Sequence, residues 1–122
     1  MKETQFWAFL ERMWEERGRE PMMAGQIDDL NPNVQAVSHY IMSHALLPRD
    51  YANIHAEAIT MMGRLLLEKG IQRKTREAIM IILAHHGSEA ALYALRIYSV
   101  RPKPGLEIFS RMALEECESW QK

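Results

Sequence analysis

The chain has 122 residues, of which 48% are apolar and 25% are charged, and its formal net charge is −1. This length and composition predict one folded domain over residues 1–122 and exclude a disordered chain. Its one cysteine, Cys117, excludes an internal disulfide and a zinc site built from cysteines, and it favours a reducing compartment. The N-terminal segment is too charged for a signal peptide and no apolar window of about 18 residues occurs, so we expect a cytoplasmic protein without membrane contact.

The N-terminal segment has the pattern of an amphipathic helix. Thr4 is a favourable N-cap and Gly18 a favourable stop, so we predict a helix that ends at Arg17. Its apolar stripe consists of Phe6, Leu10, Met13 and Trp14. Trp7 lies off this stripe, which favours a capping helix over residues 1–18 and makes Trp7 a candidate partner-binding residue. The simplest such partner is a second copy of the chain, bound through this helix as a homodimer. Residues 19–30 have no sustained period and are predicted to be a connector.

Two further helices are predicted between residues 31 and 70. Asn31 and Pro32 are an N-cap and a first helical residue, and they open a helix to about Leu47 that Pro48 ends. Its expected inward residues are Val34, Val37, Ile41 and Ala45. The next helix is predicted over 50–69, with an aspartate as its N-cap and a glycine at its end.

The apolar run 78–84 is the centre of the predicted core. Its helix-forming flanks and its extent beyond about twelve residues favour a helix over a strand, and Gly87 is the expected C-cap. Ser88 is the expected N-cap of the following helix, so the two helices form an αα-hairpin. Two prolines in 101–105 break the chain before a last helix. One side of that helix carries Leu106, Phe109, Ala113, Cys117 and Trp120.

These elements predict an all-α fold, a right-handed array or irregular bundle of about five or six antiparallel helices, with helical hairpins over 31–122. Aligning 53–87 with 88–121 gives two helix–turn–helix units of about 35 residues each. The segment TREAIMIILAHHGSEAALYAL, residues 75–95, resembles the HEAT-type helical-hairpin repeats: a second helix ends in a Leu-Ala-x-x-Gly turn and leads into the next repeat. The Asp-Pro customary in the turn within a HEAT repeat is absent. The resemblance implies a non-catalytic binding scaffold, in which helix 1–18 caps the stack.

Positive charge is concentrated in the second half of the chain. Residues 64–103 hold eight Lys or Arg against three Glu, while the rest of the chain sums to −6. Because alternate loops of an up-and-down bundle share an end, the loops 69–74 and 101–103 are expected to lie together. They then form one basic rim that consists of Lys69, Arg73, Lys74, Arg76, Arg101 and Lys103. The favoured function is the binding of a protein or peptide partner at this rim, and nucleic acid is the third choice because no aromatic residues are interleaved.

The same geometry gathers histidines at the opposite end. This predicted histidine group consists of His44, His55, His85 and His86. Imidazole nitrogens with a carboxylate suit zinc or iron, so the alternative function is a metal-dependent hydrolase. The spacing matches no metal-ligand motif, and charged histidines also stabilise helix C-termini. His39 receives no role.

No catalytic residue is predicted. Cys117 lies among glutamates, which disfavour a thiolate, and no nucleophile motif or phosphate-binding loop occurs. Adjacent carboxylates such as Glu115 and Glu116 are expected to point apart on their helix. We therefore predict a protein that is not an enzyme and that needs no cofactor.

Overall fold

The computed structural model describes residues 1–19 and 31–121. Within these residues the chain forms two short 3-10 turns, at Ser43–Leu46 and Tyr51–Asn53, and no β-strand. The helices of the described residues are α1 (Glu3–Arg17), α2 (Pro32–Met42), α3 (Ala56–Leu66), α4 (Arg73–His86), α5 (Glu89–Val100) and α6 (Glu107–Ser119). The all-α fold is confirmed. The predicted connector, apart from Arg19, lies outside the described residues.

Helix α4 is the centre of the molecule. All ten residues from Thr75 to Ala84 are buried, which explains why this segment has no polar stripe. Gly87 ends α4 in the left-handed conformation, with φ of 67°. The Ser88 side chain then accepts a hydrogen bond from the Ala91 N–H and caps α5. Both predicted caps of this hairpin are confirmed.

Helices α3 to α6 pack in two layers. Helix α3 packs against α5, and α4 packs against α6, while α4 also contacts α3 and α5. Helix α2 packs on α6 and its following 3-10 turn on α4. The core residues of all these elements form one apolar cluster.

Polar contacts hold α1 across the start of α4 and the turn after α2. The Trp7 indole N–H donates to Thr75 Oγ1 at 2.9 Å, and the Trp14 indole N–H donates to the Leu46 carbonyl at 2.9 Å. The predicted stripe of α1 is confirmed, since Phe6 and Leu10 are fully buried. Helix α1 begins at Glu3, two residues earlier than an N-cap at Thr4 predicts.

Several element details differ from the prediction. Val37 and Ile41 were expected to face inward but are 37% exposed, whereas Tyr40 is buried. The reason is that α2 packs on α6, where the Tyr40 ring lies edge-on to Phe109 with centroids 4.9 Å apart. Trp120 was expected on the inner side of α6 but is 56% exposed.

The prediction also began the third helix too early. Asp50 instead precedes a 3-10 turn, where its carboxylate accepts from the Asn53 amide at 2.5 Å, and α3 starts after His55. This helix ends at Leu66 and not at Lys69.

No helix in the described residues combines the length and apolar character that a membrane crossing requires.

Candidate functional site

The structure places the two predicted basic loops side by side. The Arg73 guanidinium donates to the Gly105 carbonyl at 3.0 Å, which joins the loop before α4 to the loop before α6. Lys69, Lys74, Arg101 and Lys103 are exposed around this contact. A cationic surface therefore exists at this end of the molecule.

Arg76 does not belong to the accessible rim, and its assignment there was wrong. Its side chain is buried, with 3% of the residue exposed, and it donates to the carbonyls of Leu66 and Glu68. Those carbonyls lie at the C-terminal end of α3, where no intrahelical donors remain. Arg76 therefore acts as a long-range cap that ends α3.

Two other predicted partner-binding residues have contacts within the chain. Lys74 Nζ lies 5.9 Å from the centroid of the Trp7 ring. Trp7 itself is half-buried, because its indole N–H is bonded to Thr75. Trp7 therefore has a structural role, because it joins α1 to α4.

A groove lies between α2 and α4 and runs up to the basic rim. This α2–α4 groove has a volume of about 540 Å³ and is lined by His39, Met42, Ser43, Ala45, Leu46, Arg73, Lys74 and Glu77. Its floor is largely apolar, and Arg73 and Lys74 stand on one wall. The groove brings the basic residues of α4 beside an apolar surface that the sequence did not reveal.

Inside the groove, Glu77 is bonded from two sides. Its Oε2 lies 2.7 Å from His39 Nε2 and accepts from Arg73 Nε at 3.2 Å. His39, which received no role from the sequence, thus joins α2 to α4. In the sequence, the only indication of these contacts is the i,i+4 spacing of Arg73 and Glu77.

At the other end of α4, two of the four predicted histidines meet a carboxylate. We call His44, His85 and Glu116 the His–Glu site. His85 Nε2 lies 3.2 Å from Glu116 Oε2, and His44 Nε2 lies 3.6 Å from Glu116 Oε1. The three residues come from the turn after α2, the end of α4 and the last turns of α6.

Both histidines are oriented by the backbone. His44 Nδ1 lies 3.0 Å from the Tyr40 carbonyl, and His85 Nδ1 lies 2.8 Å from the Ile81 carbonyl. Since a carbonyl only accepts, each Nδ1 carries a proton and donates it. Each Nε2 is then left to face Glu116.

The electrostatics of the site follow from these contacts. The Glu116 carboxylate raises the pKa of His44 through a hydrogen bond that outweighs burial. Burial acts to raise the pKa of Glu116, but hydrogen bonds from His44, His85 and Tyr40 hold it well below its usual value. Burial, and then the bond to Glu116, raise the pKa of Tyr40 far above its usual value. Glu116 therefore stays charged.

The other two predicted histidines lie outside the His–Glu site. His86 is bonded to Ser88 Oγ at 2.9 Å and to the Ile54 carbonyl at 3.0 Å, so both its ring nitrogens are occupied. His55 is exposed and precedes α3. Their inclusion in one cluster was wrong: His86 diverges by about 100° from the adjacent His85 on the helix, and His55 lies on a different element.

Comparison with known proteins assigns no relative to this chain. No protein-family model, no curated protein and no solved structure matches it. The functional argument therefore rests on the chain's own groove, basic rim and His–Glu site.

Proposed function

We propose that this chain is a small non-catalytic helical scaffold that binds an acidic segment of a partner protein in the α2–α4 groove. The observation that carries the proposal is the pairing of an apolar floor with Arg73 and Lys74 on one wall. Such a groove suits an extended or helical segment that carries apolar side chains between carboxylates.

The charges around the groove support an anionic partner. Glu77 lies in the wall but is already bonded to His39 and Arg73, so it repels little. Lys74 and the exposed members of the basic rim, Lys69, Arg101 and Lys103, extend the positive surface beyond the groove. Long-range attraction from this surface would raise the association rate of an acidic segment and fall with added salt.

The packing of the helices supports a scaffold of the HEAT type. Successive units of such a stack place like helices against like helices, and α3 lies against α5 as α4 lies against α6. The units proposed here are α3–α4 and α5–α6, with α1 as the capping element. We place this scaffold in the cytoplasm, since its one thiol, Cys117, is free and buried.

The test reverses the charge of the rim and leaves Arg73, which is bonded to Glu77 and Gly105, unchanged. Lys69→Glu, Lys74→Glu and Lys103→Glu are combined, and partners captured from native lysate are compared with those of the unchanged chain. Loss of the captured partners is expected. The matched control combines Arg12→Glu, Arg96→Glu and Arg111→Glu, which makes the same change in net charge on other surfaces and should retain them.

A second variant separates docking in the groove from general attraction. Met42→Asp places a charge on the apolar floor and should weaken capture at all salt concentrations. Retention of every partner by both the rim variant and Met42→Asp would contradict the proposal. Binding to heparin that falls steeply with salt, with no protein captured, would assign the rim to nucleic acid instead.

A further inference from the structure

The His–Glu site contains an electrostatic arrangement that needs a cation. Each Nδ1 donates to a backbone carbonyl, so a neutral His44 or His85 would direct an Nε2 lone pair at the Glu116 carboxylate. Two lone pairs against an anion repel. The arrangement becomes favourable when a positive ion, either a proton on each ring or one metal, lies between them.

The distances suit one metal ion. Ligand atoms about 2.0 to 2.1 Å from a tetrahedral zinc lie about 3.3 Å from one another. His85 Nε2 lies 3.2 Å from Glu116 Oε2 and His44 Nε2 lies 3.6 Å from Glu116 Oε1, so each nitrogen is near this distance from one oxygen of the carboxylate. One ligand atom from each residue lies within 4.8 Å of the other two, and side-chain rotation that shortens the longest of these separations would complete the geometry.

The surroundings match those of metal-bound histidines. A backbone carbonyl on Nδ1 fixes the tautomer and orients Nε2, and Tyr40 donates to Glu116 Oε1 and so orients the carboxylate. The site is accessible on one side, because the side chains of His44 and Glu116 are 25% and 28% exposed. A solvent molecule would supply the fourth ligand of a tetrahedral ion.

We propose that His44 Nε2, His85 Nε2 and the Glu116 carboxylate bind one divalent transition-metal ion of the zinc class. The ion would join the turn after α2, the end of α4 and the end of α6. The site lies about 18 Å along α4 from Arg73, and its ligand His44 stands between Ser43 and Ala45, which line the α2–α4 groove. Only the folded chain brings the three ligands together. Metal binding should therefore also stabilise the fold.

The test uses metal alone as the probe. Purified chain is stripped with a chelator and dialysed against Zn²⁺, and bound metal is measured by elemental analysis. Binding of one ion per chain is expected, with a rise in Tm. Co²⁺ in place of Zn²⁺ should give the visible absorption bands of a four-coordinate site with nitrogen and oxygen ligands.

Two ligand variants and two controls decide the assignment. His85→Gln and Glu116→Gln should each weaken Zn²⁺ binding by tenfold or more, since even the loss of a residue that only hydrogen-bonds to a ligand costs about 10–100-fold. His55→Gln and His86→Gln should bind as the unchanged chain does. Circular dichroism of each variant without metal checks folding. If a ligand variant fails to fold, Tyr40→Phe takes its place: it retains all three ligands and should weaken binding by about tenfold.

Three results would overturn the proposal. The first is no saturable uptake of Zn²⁺ or Co²⁺ by the unchanged, folded chain. The second is equal uptake by the ligand variants, and the third is an equal loss in the His55 and His86 controls. In the first case the cluster is a structural contact that joins three elements of the fold.

Discussion

The hydroxyl of Tyr40 donates a hydrogen bond of 2.5 Å to Glu116 Oε1 and so joins α2 to α6 across 76 residues of sequence. The same ring packs edge-on against Phe109. Helix α2 lies outside the two layers formed by α3 to α6, so this polar anchor and this aromatic contact hold it in place. Glu116 thereby links the position of α2 to both histidines of the His–Glu site.

Removal of the Tyr40 hydroxyl should therefore destabilise the fold. Tyr40→Phe retains the ring but removes a donor from a charged acceptor, and we expect a loss of about 1.5 to 3 kcal/mol in the free energy of unfolding. Urea unfolding in the presence of a chelator measures it. Tyr93→Phe, at a residue that is 69% exposed, is the control and should change stability by less than about 0.5 kcal/mol. Equal effects of the two substitutions would contradict this account.

Features that depend on neighbouring residues were predictable from the sequence. The apolar run in α4, its glycine C-cap and the Ser88 N-cap each act within one helical turn, so composition and spacing were sufficient. The meeting of loops 69–74 and 101–103 followed from the alternation of helices, and so did the approach of His44 to His85.

Features that depend on distant partners were not predictable. Arg76 resembled a surface residue because its acceptors, the carbonyls of Leu66 and Glu68, are backbone atoms that no side-chain pattern reports. Tyr40 and Glu116 likewise find each other across the fold. Glu115 and Glu116 do diverge, as expected of adjacent helical residues, but the consequence was missed: one is exposed, and the other faces both histidines.

The contact between α1 and α4 should make stability depend on pH. Hydrogen bonds from the Thr75 hydroxyl and the Gln72 N–H hold the pKa of Glu3 below its usual value. A lowered folded-state pKa stabilises the fold above the unfolded-state value, and this contribution is lost as pH falls through the folded-state value. We expect Glu3→Gln to cost about 0.5 to 1 kcal/mol at pH 7 and much less at a pH below the folded-state value.

Chemical unfolding of both chains at the two pH values measures this difference. Glu11→Gln makes the same charge change on the same helix and should leave stability within about 0.5 kcal/mol at neutral pH. A Glu3→Gln penalty that is unchanged at the acidic pH would show that the carboxylate charge contributes nothing to the contact.

The Cys117 thiol should be chemically inert in the folded chain. Burial, and then the nearby Glu118 carboxylate, raise the pKa of Cys117 from 9.0 to about 11. Because the thiolate is the reacting form, this shift alone lowers the reactive fraction about 100-fold below the pKa. Full burial of the side chain slows reagents further.

Alkylation at mildly alkaline pH, with and without denaturant, measures the protection. We expect modification to be at least about 100-fold slower in the folded chain than in denaturant. A control chain with Cys117→Ala and Ala8→Cys carries its thiol on the exposed side of α1 and should react rapidly when folded. Rapid modification of Cys117 in the native chain would mean that α6 opens readily.

The close approach of α3 and α5 makes Gly63 a sensitive position. A Cβ added there would lie 2.7 Å from the Ala94 Cβ, which is too short for two carbon atoms. Alanine favours a helix over glycine by about 1 kcal/mol, but overpacking of a buried contact costs about 1 to 3 kcal/mol, so Gly63→Ala should be neutral to destabilising by about 2 kcal/mol.

The partner residue allows a decisive comparison. Ala94→Gly alone should cost about 1 kcal/mol in helix propensity, but combined with Gly63→Ala it removes the clash. The double variant should therefore be more stable than the sum of the two single changes predicts, by about 1 kcal/mol or more. Thermal or urea unfolding of all four chains measures this coupling. If the effects are strictly additive and Gly63→Ala stabilises the chain as it would on an open helix face, the result contradicts the packing of α3 on α5. It then also contradicts the two-layer arrangement on which the proposed scaffold is built.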